Sequence, residues 1–437
     1  MSKNEHAVVM GSSIAGLLAA RVLSEHFSKV TLIERDAHPL RPLPREGVPQ
    51  GKQTHVLLPG GTRVLEKLFP GCVSKLAEIG AQQFDYGYSR FHLDGHWMPR
   101  VETGLISLAQ TRPFLEQHVR SWVSSISNVT IVYGSTASGL KFDAGKSRVV
   151  GIHVRDTQKT TSYEIQADLV VDSTGRNTRL PHWLVEGGYG RVPITEIEIN
   201  VGYATGLFRT PKELLPDHPL MYIVGRPPEK TRVGAFIRVE DGLACAGLAG
   251  YHGDFPPTEL QQFLKFARSL CDPKIYDVLA QSELASTIAQ FRVPASIRRH
   301  YRRLTRFPDG IIPIGDSISS FDPVFAQGMT VAALEVEVLS ECLRGYVNFD
   351  ANFRRNYFQR IDSLVDVAWN LSSGENFRYP QTSGRRPLFY GLERRYKSRL
   401  LSSTDPFVIR GLYRVLTLSA NPKILLDRRI VTKALFN

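Results

Sequence analysis

The chain opens on an apolar run at His6–Met10, continues with helical periodicity from about Ile14 to Phe27, and returns to an apolar run at Lys29–Glu34. Two strand-length runs around one amphipathic stretch predict a β-α-β unit. Between about Ile194 and Tyr251 the pattern changes to β-branched and aromatic residues broken by Gly and Pro. That alternation predicts antiparallel strands such as Glu196–Leu207 and Arg232–Val239. A short buried strand is expected at 310–314, followed through a loop by a helix at about Gln327–Leu343, and the rest reads as mainly helical. No internal repeat or low-complexity segment interrupts this order. Nucleotide-fold patterns therefore stand at both ends of the first 345 residues with a sheet inserted between them, so the first domain is expected to be discontinuous.

At 437 residues the chain is too long for one compact core, and 42% hydrophobic with 22% charged residues is an ordinary globular composition. No stretch approaches the roughly 18 uninterrupted apolar residues of a membrane span. The segment Met1–His6 lacks an apolar signal core, which predicts a cytoplasmic protein. Cys72, Cys245, Cys271 and Cys342 are scattered, so neither a metal site nor a CxxC redox centre is expected. The net charge of +12 is concentrated at the end of the chain, where Glu341–Asn437 holds 17 Lys/Arg against 8 Asp/Glu, or +9. Nothing there matches a nucleic-acid module, so no nucleic acid is expected as partner. Pro406–Leu418 and Pro422–Phe436 read as two short helices with apolar faces (Ile409, Leu412, Tyr413, Leu416; Ile424, Val431, Leu435) and basic backs (Arg410, Arg414, Arg428, Arg429, Lys433). That pattern fits helices docked on the nucleotide domain with a solvated outer face. It fits weak peripheral contact with an anionic membrane as well.

Val8-Val9-Met10-Gly11-Ser12-Ser13-Ile14-Ala15-Gly16, with Glu34-Arg35 ending the second strand, is a dinucleotide fingerprint whose middle glycine is Ser13. Gly11 permits the tight turn and Gly16 lets helix and strand approach. The helix start at Ile14 and Ala15 offers N–H groups to a pyrophosphate, and Ser13 can donate to it. Glu34, 18 residues after Gly16, is placed to accept from ribose hydroxyls. A glycine pattern alone says little, but strand, helix, second strand and terminal acid agree here. The later segment, Gly315-Asp316 through Asp322-Pro323 to Gln327-Gly328-Met329, is a strand end, an acid, a Pro-held loop and a helix start. Asp316 suits a ribityl hydroxyl, and the N–H groups of Gly328 and Met329 suit the flavin N1/C2 edge, where reduction places negative charge.

These segments resemble the FAD-dependent monooxygenases of the para-hydroxybenzoate hydroxylase fold group. Within that group the chain is similar to bacterial polyketide epoxidases, enzymes of secondary metabolism that act on polyene precursors of polyether ionophores. The shared pieces are Gly11–Gly16, Arg45–His55, Ala167–Arg176 and Gly315–Met329, with Trp369 and Arg378–Pro380 later. The resemblance implies an α/β glutathione-reductase-type FAD domain (1–80, 106–185, 296–345), an inserted antiparallel substrate domain (81–105, 186–295) and a helical C-terminal region (346–437). It implies non-covalent FAD and transfer of one oxygen atom, by way of a flavin C4a-hydroperoxide, to an apolar and olefinic substrate. By the same resemblance Arg45 and Arg112 reach the flavin or its pyrophosphate; His55, in the same loop as Arg45, reads either as a polar contact near the flavin or as a satisfied structural residue.

Thr174 stands where simple aromatic hydroxylases carry an aspartate tied to the nicotinamide coenzyme. Electrons from NAD(P)H are therefore expected either directly or through a separate flavin reductase. Such chemistry needs a dry apolar pocket rather than a side-chain nucleophile. Tyr203, Leu207, Met221, Tyr222, Phe236 and Leu248 are candidate pocket or core residues, and no catalytic side chain is named. Trp97, Trp122, Trp183 and Trp369 never form the Trp-x-Trp-x-Ile-Pro segment of flavin halogenases. A reductase or oxidase of a prenyl-type lipid, and a lipid-escort protein without redox activity, are the competing readings.

Overall fold

Asn4–Met10 pairs in parallel with Phe27–Ile33 on one side and with Leu169–Asp172 on the other. Val129–Val132 and Ile311–Pro313 complete a five-stranded sheet, parallel at every junction. The computed structural model describes residues 4–436 apart from 158, 160 and 216. Leu169–Asp172 is buried at all four positions, as a parallel strand covered on both faces must be. Helices Ile14–Leu23, Arg112–Ser124 and Gly328–Gly345 gather around this sheet. The antiparallel strands Ser135–Phe142, Val149–Asp156 and Ser162–Gln166 add Leu140, Ile152 and Val154 to the same core. The opening helix ends at Leu23 rather than Phe27. Glu25 and His26 turn back onto Val22 and Leu23, and Phe27, fully buried, already pairs with Asn4.

The inserted sheet has nine strands built around Ile194–Arg209, Leu243–Tyr251, Val233–Arg238 and Ala289–Arg299. Its pairings are antiparallel except where Leu220–Ile223 meets Arg90–Leu93. Helices Leu260–Arg268 and Lys274–Leu279 seal one face around Phe208, Phe236 and Phe263. The long helix Ala351–Asn376, capped by the Asp350 carboxylate, packs on Gly328–Gly345.

The tail helices differ from expectation in where they dock. Tyr390–Ser402, Pro406–Leu416 and Arg428–Phe436 bury Leu400, Val408, Ile409, Leu412 and Tyr413 against Phe84, Tyr86, Phe91, Leu220 and Ile237, which belong mainly to the inserted sheet and its approaches. Contact with the nucleotide side is narrower: the Thr417 carbonyl accepts from Gly60 N–H at 3.1 Å. In the last helix the buried face is Ile430 and Ala434, while Leu435 is 45% exposed and Ile424 and Val431 are half-buried. A short 3-10 turn at Pro422–Leu426 breaks the helix before Arg428 and resets its phase. No helix among the described residues is long and apolar enough to cross a membrane.

Candidate functional site

The turn after the first strand closes when Gly11 N–H donates to the Ile33 carbonyl at 2.9 Å. Gly11 sits at φ +98°, and a Cβ there would lie 2.9 Å from the Ser173 carbonyl oxygen. At Gly16 a Cβ would lie 2.0 Å from the Gly11 carbonyl oxygen, so helix and strand meet over bare backbone. Replacing Gly16 by alanine is expected to destabilise the fold by about 1–3 kcal/mol and to leave the purified protein colourless. The flavin-to-protein absorbance ratio and thermal unfolding check both outcomes.

A single cavity of about 760 Å3 runs from this turn across the molecule, within the usual small-molecule range of roughly 300–1,000 Å3. Gly11, Ser13, Ile14, Ala15, Glu34, Arg35, Arg45 and Arg112 line its first part, and Asp316, Pro323, Gly328 and Met329 the middle. Gly16 lies beneath the wall. Thus segments more than 280 residues apart in sequence share one surface.

Glu34, 5% exposed, has one oxygen on Ser12 N–H and hydroxyl (3.1 and 2.6 Å) and the other on Asp36 N–H at 3.0 Å. Arg45 departs from its expected part. Its guanidinium donates to Glu116 through Nε and Nη2 (2.8 and 2.6 Å) and to Asp36 through Nη1 at 2.7 Å, with Glu34 3.1 Å away. Carboxylates occupy most of its N–H groups, and it stands on the cavity wall beside Glu34. Ser13 also differs: its hydroxyl donates to Glu116 at 2.7 Å, because a carboxylate in reach takes the single proton. Arg112 keeps more freedom, with Nη2 on Ser13 Oγ at 3.0 Å, Nη1 facing His55 Nε2 at 3.3 Å and a buried Nε that makes no hydrogen bond, 3.9 Å from Glu116. His55 Nδ1 lies 2.9 Å from the Gln53 carbonyl, and burial, with the Arg112 charge, depresses its imidazole to about 3. The neutral ring is then an acceptor that orients Arg112. Arg35 lies at the rim, 61% exposed, with Nη2 on the Gly47 carbonyl.

Glu116 was not legible as a site residue, yet it organises this end of the cavity. It is buried among Arg45 (2.6 Å), Arg120 (2.7 Å) and Arg112 (3.9 Å). Burial opposes its charge, but the three guanidinium groups outweigh that and hold its carboxyl below the usual range. The spacing Arg112-x3-Glu116-x3-Arg120 along one helical face is the signal that points to it.

Gly315, at φ +64°, turns the chain at the end of Ile311–Pro313, and its N–H donates to the fully buried Glu335. Burial raises the Asp316 carboxyl, against the pull of Arg112, Arg176 and Arg299. The Asp322 carboxylate caps the Pro323–Phe325 turn and accepts from Tyr251 OH at 2.8 Å; burial pushes it up to about 6. Tyr222 OH fixes the same loop through the Val324 carbonyl at 2.6 Å. Beyond it the chamber turns apolar, lined by Leu220, Tyr222, Ile237, Leu248 and, from the tail, Leu401, Tyr413 and Leu416. Tyr203 lines it as well, whereas Leu207, Met221 and Phe236 do not. Met221 and Phe236 alternate with cavity residues on their strands and point to the core under the outer helices. Asn376 and Tyr413 line this chamber with polar atoms that find no protein partner, the Asn376 amide facing Asp322 without closing a full hydrogen bond.

These residues fit a flavin dinucleotide. The phosphate turn has no room for a side chain, Arg112 Nε makes no hydrogen bond within the wall, and Gln327 Oε1 is buried without a hydrogen-bond partner beside the second helix start.

No protein-family model matches the chain. Protein Rv3254 of Mycobacterium tuberculosis is 34% identical over 352 residues, covering 78% of this chain and 73% of that protein. Mouse squalene monooxygenase is 21% identical over 352 residues, 77% of this chain but only 54% of the enzyme. Among solved structures, the flavin-dependent brominase Bmp2 superposes with a TM-score of 0.67 at 14% identity, covering 94% of this chain and 93% of that one. The p-nitrophenol 4-monooxygenase PnpA of Pseudomonas putida gives 0.64 at 16% identity, covering 95% and 99%. At such identities the structures speak for the fold.

Proposed function

This chain belongs to the family of protein Rv3254 and to the fold group of the FAD-dependent monooxygenases, and from that premise we infer that it inserts one atom of dioxygen into an apolar, olefinic substrate, most simply by epoxidation. The observation that carries the reading is the continuity of the cavity. The dinucleotide turn, the Asp316 loop and an apolar chamber form one space, so a flavin ring at Gly328 and Met329 would face the substrate. FAD supplies the activation of dioxygen when bound. The chain's own residues hold the dinucleotide, exclude water through Leu220, Ile237 and Tyr413, and present the Gly328–Gly345 helix start to the charge that reduction creates. Asn376 and Tyr413 offer hydrogen bonds to a substrate that is apolar in bulk and carries polar groups, as a polyketide does.

The bound electrons come from NAD(P)H, directly or through a separate reductase. Thr174 turns its hydroxyl onto Asp172 at 2.6 Å rather than presenting a charge to a coenzyme, which supports the second route. The division into FAD-binding (1–80, 106–185, 296–345), substrate (81–105, 186–295) and helical (346–437) regions is part of the same proposal. A lipid reductase is the alternative, since the chamber would hold a prenyl chain equally well. Reduced protein mixed with isotopically heavy dioxygen and an acyclic polyene is expected to give product carrying one heavy oxygen. Full release of the oxygen as peroxide, with the polyene reduced or unchanged, would sink the monooxygenase reading.

A further inference from the structure

Of the apolar faces read as fitting membrane contact, Ile409, Leu412 and Tyr413 are buried, but the structure exposes a larger apolar group elsewhere. Leu388 is 90% exposed, and Phe389 and Leu392 are each 70% exposed. They form one protrusion at the start of helix Tyr390–Ser402. Arg385, Arg386, Arg394, Arg395 and Arg399 surround it, all exposed, against the single exposed acid Glu393. Among the described residues, none of Arg385, Arg394, Arg395 and Arg399 has an ion-pair partner within salt-bridge distance. Side chains as large as these, standing in water beside uncompensated guanidinium groups, match the two layers of an anionic bilayer. Acyl chains take the apolar tip and headgroup phosphates take the arginines.

The protrusion adjoins the apolar end of the cavity. The same helix places Lys397 and Leu401 in the cavity wall, within about three turns of Leu392. There Arg378 bonds Asp94 and Glu375 (2.8 and 2.9 Å), and Lys397 bonds Glu375 at 2.8 Å. Asp94, Glu375 and Lys397 are each about a fifth to a quarter exposed, so this polar latch stands between chamber and surface. We propose that Leu388, Phe389 and Leu392 dock this end of the chamber on an anionic lipid surface, and that a membrane-dissolved apolar substrate enters past the Asp94–Arg378–Glu375–Lys397 latch. The entry route rests on the apolar-substrate reading above; the docking itself does not.

The test is co-sedimentation of the purified full chain with vesicles of phosphatidylcholine alone or mixed equally with phosphatidylglycerol. Leu388→Glu/Phe389→Glu/Leu392→Glu is the variant, and its exposed positions leave the core untouched. Binding to the anionic vesicles is expected to exceed that to phosphatidylcholine by at least ten-fold, to fall with salt, and to drop at least ten-fold in the variant. Equal binding by variant and parent, or no anionic preference, overturns the proposal. So does a dimer that the substitutions dissociate without any vesicle binding, which would assign the patch to a second copy of the chain. Flavin content and oxygen transfer are measured separately in detergent-free solution. Loss of those with vesicle binding intact would overturn the enzymatic reading and leave the docking surface standing.

Discussion

Replacing Glu116 by alanine is expected to lower the unfolding free energy by about 3–5 kcal/mol, the range for stranding buried charges. The carboxylate is 8% exposed at its side chain and lies between Arg45 and Arg120, both under a tenth exposed. Its removal leaves Arg120 with Ser12 Oγ alone and frees Ser13 and Arg112 from a shared anchor. The phosphate turn then loses its fixed hydroxyl and its cation together, so retained FAD should fall with stability. Urea denaturation and flavin content read the two effects. A Glu116→Met/Arg120→Met double variant should recover much of the stability without recovering FAD, because it removes the strand of buried charge but not the need for an ordered turn. An alanine variant within about 1 kcal/mol of the parent would show that water already reaches the cluster.

The second large effect is a dependence of stability on pH carried by Glu335. This residue is fully buried, with one carboxyl oxygen on Gly315 N–H and the other without a partner. Burial pushes its carboxyl up to about 8; the Gly315 N–H pulls it down, and Asp316 pushes it further up. An unfolded glutamate ionises near 4.5. Between those two values the unfolded chain binds fewer protons than the folded one, so stability falls as pH rises. At about 1.4 kcal/mol per unit, roughly 4 kcal/mol is lost between pH 5 and pH 8 through this group. A Glu335→Gln variant, which keeps an acceptor for Gly315 but cannot ionise, should diverge from the parent by that amount across the same window. Parallel curves of denaturation midpoint against pH would mean that Glu335 is ionised and hydrated in the folded state, as it is in the unfolded one.

Local chemistry made the nucleotide end of this molecule readable. Gly11, Gly16 and Glu34 belong to one β-α-β unit, so spacing alone conveys their geometry, and the structure places Gly11 and Glu34 at one cavity with Gly16 beneath them. Arg45 and Arg112 reached the same cavity, but their hydrogen-bond partners depend on Glu116, 71 residues beyond Arg45. In the sequence that acid reads as part of an ordinary charged helix face. The chamber was less legible still. Along a strand, neighbouring apolar residues look alike, and a shift of one exchanges cavity for core, which is why Tyr222 faces substrate space and Met221 does not. The docking of the tail was hidden for another reason. An amphipathic helix declares that it has a buried face, but nothing in its own residues says which surface covers that face.

Leu401, Tyr413 and Leu416 form part of the chamber wall, and they come from helices that follow both sheets in the chain. Translation runs from the amino end, so the dinucleotide turn, the Asp316 loop and the inserted sheet have all left the ribosome before the wall's last pieces exist. A nascent chain can therefore acquire its nucleotide while the reactive chamber is still open to water.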